Sequence, residues 1–245
     1  MAGFKDVFQR IEVKYLLDDT QYTELRKRLE GMAAVDSYGK TSILNIYFDT
    51  PEYTLIERSL EKPVYKEKLR LRTYGTATDD TNAFIEIKKK YKGVVYKRRI
   101  SMPYSEAMDY LVKGKKLAKR SQISDEIDYF IRYYKGLRPA MAISYDRIAM
   151  AGIEDPDLRI TFDTNIRWRT SKLSLKEGNV GKEILLPGQH LMELKIAGAM
   201  SVELARILDE LNIRKTSFSK YGKGYIDYMY GSQESENIIS FPRAV

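Results

Sequence analysis

The chain has 245 residues, with 42 Lys and Arg against 34 Asp and Glu and a formal net charge of +8. It holds no Cys and a single His, His190, which excludes disulfides, Cys-ligated metals and His-clustered metal centres. The cationic balance favours an anionic partner such as nucleic acid, a membrane surface or a phosphorylated small molecule.

Residues 8–17 alternate Arg10, Glu12 and Lys14 with Ile11, Val13 and Tyr15, which predicts a strand with one charged and one apolar face. Its approach carries no signal-peptide core. No window of about 18 apolar residues occurs anywhere, so no helical membrane span is expected. A soluble cytoplasmic protein is expected, with one domain over residues 1–231 and a loose tail over 232–245.

The pattern of Tyr22, Leu25 and Leu29 among charges predicts a helix over 20–32. Strands are predicted over 42–49 and around 55–60. Residues 66–74 alternate Lys68, Arg70 and Arg72 with Leu69 and Leu71, and residues 83–90 alternate Glu86 and Lys88 with Ile85 and Ile87. Lys92-Gly93 then turns the chain into a partner strand over 94–102, where Lys97 and Arg99 share a face.

Helices are predicted over 105–112, capped by Ser105, and over 124–134. Strands over 140–150 (Tyr145, Arg147), 157–163 (Arg159, Thr161, Asp163) and 191–197 (Glu193, Lys195) follow. A helix over 201–211 and a last element over 218–230 complete the pattern.

Strand after strand therefore carries charge at i and i+2. A single such strand reads as a sheet with one solvated face. The set reads differently, because Lys and Arg dominate it, with a single acid per strand at Glu12, Glu86, Asp163 and Glu193. Like charges facing each other across a sheet repel, so such a face calls for an anion. Turned to the inside of a closed sheet, it would line a cationic channel. Arg offers a planar fork to phosphate oxygens and Lys a point charge. The sparse carboxylates suit Mn²⁺ or Mg²⁺, which need one or two of them beside phosphate.

Neither GxxxxGK[ST] nor a strand-borne GxGxxG occurs. The 19 Tyr are spread throughout the chain and many sit at core-compatible positions, so no nucleic-acid partner is expected.

Taken in order, Glu12-Val13-Lys14-Tyr15, Leu69-Arg70-Leu71-Arg72, Ile85-Glu86-Ile87-Lys88, Val95 to Arg99, Tyr145-Asp146-Arg147, Arg159 to Thr164, Glu193-Leu194-Lys195 and Ser219 to Lys223 resemble the triphosphate tunnel fold. Within that CYTH-like superfamily they are most similar to the VTC domain of polyphosphate polymerases. The resemblance implies an α+β fold, in which a closed eight-stranded antiparallel β tunnel carries flanking helices and a C-terminal helix at one mouth. It implies a metal-dependent transfer of the ATP γ-phosphate to a growing polyphosphate chain. Lys14, Arg70, Arg72, Lys88, Lys97, Arg99, Arg147, Arg159, Lys195, Lys220 and Lys223 would grip phosphate. Glu193, with Glu12 and Glu86, would hold Mn²⁺ or Mg²⁺. Of these, Lys14, Arg70, Arg72, Lys88, Glu193, Lys220 and Lys223 would carry the chemistry.

Tunnel triphosphatases open with ExExK, and Arg10 stands here at the first Glu. That removes one metal ligand and points to the polymerase branch. Hydrolysis of inorganic triphosphate or a nucleoside triphosphate, and polyphosphate binding without catalysis, stay open as alternatives. A membrane-protein partner is left unidentified.

Overall fold

The computed structural model describes residues 10–92 and 94–231. The side chain of Arg10, and the tail expected over 232–245, lie outside the described residues. The chain runs β1 (Arg10–Leu17), α1 (Asp19–Arg28), β2 (Ala33–Asp49), α2 (Thr54–Leu60), β3 (Tyr65–Tyr74), β4 (Asn82–Tyr91), β5 (Val94–Pro103), α3 (Tyr104–Lys113) and α4 (Gln122–Tyr133). It continues through β6 (Arg138–Gly152), β7 (Arg159–Arg169), β8 (Lys182–Glu183), β9 (His190–Ala197), α5 (Val202–Glu210), β10 (Lys215–Thr216) and α6 (Lys220–Tyr230). No helix among the described residues is long and apolar enough to cross a membrane.

The fold is an antiparallel sheet with flanking helices. The sheet has ten strands in the order β10-β1-β9-β7-β6-β2-β3-β4-β5, with β8 on β7. The expected closed ring of eight strands is therefore corrected: the path has two ends, and no β10–β5 pairing occurs among the described residues. Two of the strands, β8 and β10, are two residues long, too short for alternation to announce them.

The chain divides into two compact units, each with its own core. The first comprises the residues up to Ile43, Tyr145–Ile166 and Leu185–Phe218. In it β1 pairs with β9 from Arg10↔Ala197 to Leu17↔His190, and β9 pairs with β7 from Arg159↔Lys195 to Asp163↔Leu191. Their apolar faces bury Tyr15, Leu17, Ile160, Phe162, Met192 and Leu194 against Leu25 and Leu29 of the α1 region and Leu204 and Leu208 of α5. Asp18 and Gln21 close a capping box on α1, and Ser201 caps α5, which satisfies amides that the first helical turn leaves without partners.

The second unit comprises Leu44–Ser144, Arg167–Ile184 and the residues from Ser219 onward. Here β3, β4 and β5 form a meander. Their apolar face (Leu69, Leu71, Ile85, Ile87) packs against Leu44, Ile46 and Phe48 of β2 and against Tyr104, Ala107, Ile127 and Phe130 of α3 and α4.

Two local expectations change. Residues 54–60 are helix α2, not a strand. The buried Asp49 carboxylate accepts from the amides of Leu55 and Ile56, so the helix start is held by a residue outside the segment. Helix α3 begins at Tyr104 after Pro103, and the Ser105 hydroxyl bonds Asp79 O instead of capping.

Candidate functional site

The charged face of the second unit is built by register. Across β3, β4 and β5, Lys68 opposes Lys88, which opposes Lys97; Arg70 opposes Glu86, which opposes Arg99. Two cross-strand rows thus bring five cations around one acid, and Arg72 adds a sixth. The Glu86 side chain is 1% exposed. Arg70 Nε donates to its Oε2 at 2.7 Å, Arg72 Nε lies 3.8 Å from the same oxygen, and Lys97 Nζ lies 2.6 Å from Oε1. Burial alone pushes the Glu86 carboxyl up, but Arg70, Arg72 and Lys97 outweigh it and hold it down at about 2. Arg99 spreads over the Phe84 ring, 4.8 Å from its centroid.

Strand β2 supplies residues that the sequence reading did not single out. Asn45 Oδ1 accepts from Arg72 Nε at 2.8 Å, and Asn45 Nδ2 donates to Ile143 O at 2.9 Å. The Tyr47 hydroxyl accepts from Arg70 Nη1 at 3.2 Å. Asn45, Tyr47 and Asp49 alternate with Leu44, Ile46 and Phe48, the same two-residue signal that marked β3. It was legible but lacked formal charge at its centre.

Helix α6 packs on this unit through Tyr221, which stacks on Tyr47 at 4.6 Å and 17° and donates to Asp49 Oδ2 at 2.8 Å. Ser219 caps α6 and lies 3.4 Å from Lys68 Nζ. The absence of a side chain at Gly224 permits the approach: a Cβ there would meet Met141 Sδ at 2.8 Å and Trp168 Cβ at 3.1 Å. Lys220 is half-buried and Lys223 exposed on this helix.

The first unit has its own charged face. Lys14 opposes Glu193, which opposes Thr161; Glu12 opposes Lys195, which opposes Arg159. Glu193 is 3.1 Å from Lys195, and Glu12 is 3.8 Å from Lys14. Lys14 Nζ also donates to Phe218 O at 2.9 Å. Arg147 forks onto the fully buried Asp163 at 2.6 and 2.7 Å, and the exposed Arg159 reaches Asp36 at 3.4 Å. Glu12 and Glu193 stand diagonally on adjacent strands.

Thr161 Oγ1, directly opposite Glu193, is buried without a hydrogen-bond partner among the described residues. Two carboxylates with a spare hydroxyl are an oxygen donor set of the kind that Mg²⁺ or Mn²⁺ takes. No group of three or more His, Asp or Glu forms a full metal cage among the described residues. Glu86 belongs to the other unit, with its oxygens on cations. His190 bonds Asp19 at 2.7 Å and stacks on Tyr22, the contacts of a structural histidine.

A family model of the VTC domain matches residues 9–228. The vacuolar transporter chaperone complex subunit 4 of Schizosaccharomyces pombe is 26% identical over 195 residues, 67% of this chain and 27% of that protein. The chain thus spans about a quarter of the curated relative it matches. Among solved structures, a candidate adenylate cyclase from Bacillus halodurans is 16% identical with a TM-score of 0.55, covering 90% of this chain and 97% of that one. A candidate adenylyl cyclase from Hippeastrum, described as having a dominant triphosphatase activity, is 15% identical with a TM-score of 0.53, covering 89% and 95%. These structures share the fold. On the match over residues 9–228, the chain belongs to the VTC domain family.

Proposed function

We propose that this protein is a metal-dependent polyphosphate polymerase that moves the ATP γ-phosphate onto a polyphosphate chain. The observation that carries the reading is the row Lys68–Lys88–Lys97 beside Arg70, Arg72 and Glu86. Like charges directly opposite one another on a sheet face destabilise it, and a bound oligophosphate reverses the sign of that contribution. Family membership supports the same chemistry.

In this reading Arg70, Arg72, Lys88, Lys97 and Arg99 bind phosphate oxygens, with Glu86 as the counterion that aligns them. Lys14, Arg147, Arg159 and Lys195 add cationic contacts. Lys220 and Lys223 bind phosphate from α6 and limit the access of water. Glu193 and Glu12 are the residues that would hold Mn²⁺ or Mg²⁺, and the ion would supply positive charge against the charge of the phosphates. The terminal phosphate oxygen of the chain forms a bond to Pγ while the bond from Pγ to the β–γ bridging oxygen breaks, and ADP leaves. Phosphoryl transfer of this kind is mostly positioning and charge stabilisation. A protein partner, such as the complex named for the fission-yeast relative, forms part of the proposal.

The test is incubation of pure protein with ATP and Mn²⁺, followed by gel analysis for polyphosphate and separate assay of free phosphate. Polyphosphate that lengthens with time is the expected result. Free phosphate without polymer would establish hydrolysis instead.

A further inference from the structure

We propose that Tyr47 is a positioning residue for phosphate: it fixes the Arg70 guanidinium, and it does so as a neutral phenol. The inference deepens the proposed function and rests on the same anion site.

The geometry comes from two neighbouring elements and from burial. From β3, Arg70 Nη1 donates to the Tyr47 hydroxyl at 3.2 Å while Arg70 Nε donates to Glu86 at 2.7 Å. The guanidinium is thereby held at two of its nitrogens, one by a carboxylate and one by a phenol. A planar fork fixed in this way is pre-organised for phosphate. From α6, the Tyr221 ring lies parallel to Tyr47 and fixes its plane. Tyr47 itself is 8% exposed, so its hydroxyl cannot swing out to water and still keep both contacts.

The charged and ionisable groups facing this phenol are Arg70, Lys68 and Arg72 from β3 and Tyr221 from α6, with Asp49 beyond Tyr221. From β6, residues 139–144 contribute no ionisable side chain. Burial pushes the phenol up, the cations pull it down, and the balance lowers it to about 8. Below that value the phenol is neutral and the site keeps its full positive charge. Above it, a phenolate adds a negative charge beside Arg70 and competes with the phosphate for the same cation. Phosphate affinity therefore falls as pH rises through about 8.

The test is calorimetric titration with tripolyphosphate across neutral to alkaline pH, on the full chain and on Tyr47→Phe. Phenylalanine keeps the stack on Tyr221 and loses only the hydroxyl. At neutral pH the variant should bind about three- to tenfold more weakly, the loss of one hydrogen bond. From about pH 7 to about pH 9 the wild type should lose roughly a further tenfold that the variant does not lose. Lys97, which burial also lowers, and the ligand's own protonation act on both proteins alike and cancel in the difference.

A purely structural role for Tyr47 would lower stability and leave the two pH profiles parallel. Equal affinity with parallel profiles overturns the inference. If Tyr47→Phe does not fold, the ultraviolet absorbance of tyrosinate in the wild type decides the matter. Tripolyphosphate should move one phenol ionisation to higher pH, and an unmoved titration overturns the inference. Absence of wild-type binding at every pH overturns the proposed function and this inference with it. That outcome is distinguishable from wild type and variant binding alike.

Discussion

Arg70 Nε donates to Glu86 Oε2 at 2.7 Å, directly across the β3–β4 ladder, and the carboxylate that receives it is 1% exposed. Burying an ion is costly unless its partners are well placed. The same acid collects Arg72 and Lys97, so the surrounding cations are assembled before any ligand arrives.

Replacing Glu86 with Gln should therefore destabilise the protein by about 3–5 kcal/mol, because it strips the counter-charge from partly buried cations. Tripolyphosphate should restore more stability to Glu86→Gln than it adds to the wild type. The carboxyl titrates at about 2 in the folded protein, below the roughly 4.3 of an unfolded Glu. Its stabilisation is present above about pH 4 and is lost as pH falls toward about 2. Chemical denaturation of both proteins along a descending pH series measures this. Equal stability at neutral pH would remove Glu86 as the organiser of the cluster.

Glu193→Gln should leave folding intact and lower turnover by at least about a hundredfold, since in the proposed function it would hold the metal, whose loss removes several kcal/mol of transition-state stabilisation. The residue lies between Lys14 and Thr161 in the β1–β9–β7 register, and Gln keeps its shape. Turnover near wild type at saturating Mn²⁺ would sink the assignment.

On α6, the double change Lys220→Ala and Lys223→Ala should lower polyphosphate yield far more than ATP binding, and shift residual turnover toward free phosphate. Both positions lie on the helix that Tyr221 anchors. Product partitioning is the measurement, and an unchanged polymer yield would make these lysines mere surface charge.

Tyr221→Phe deletes the hydroxyl that donates to Asp49 Oδ2. Asp49 is fully buried, and its other bonds hold the start of α2. Loss of one donor to a buried carboxylate should cost about 1–3 kcal/mol, read from the denaturation midpoint. No change in that midpoint would show that the bond contributes nothing net.

The meander was the most legible part of the chain. Lys68, Arg70 and Arg72 alternate with Leu69 and Leu71, and the register of β3 on β4 follows from keeping those leucines in the core. Helix α2 was not legible, because Leu55 and Ile56 look like a strand and their amides are held by Asp49, outside the segment. The carboxylates were legible as sparse acids on cationic strands, but their partners were not. Glu86 meets Lys97 diagonally, from the row next to its own, and only the register reveals that contact. Tyr47 escaped notice because its contribution depends on an arginine 23 residues away.

Binding of a phosphate chain to the charged face of β3, β4 and β5 underlies the proposed function. Calorimetric titration of wild type and Lys88→Ala with tripolyphosphate, at low and high salt, addresses it most directly. Wild-type binding should weaken as salt rises, and the variant should bind at least about tenfold more weakly at low salt. Wild-type affinity in the Lys88→Ala variant, with the same salt dependence, would contradict it.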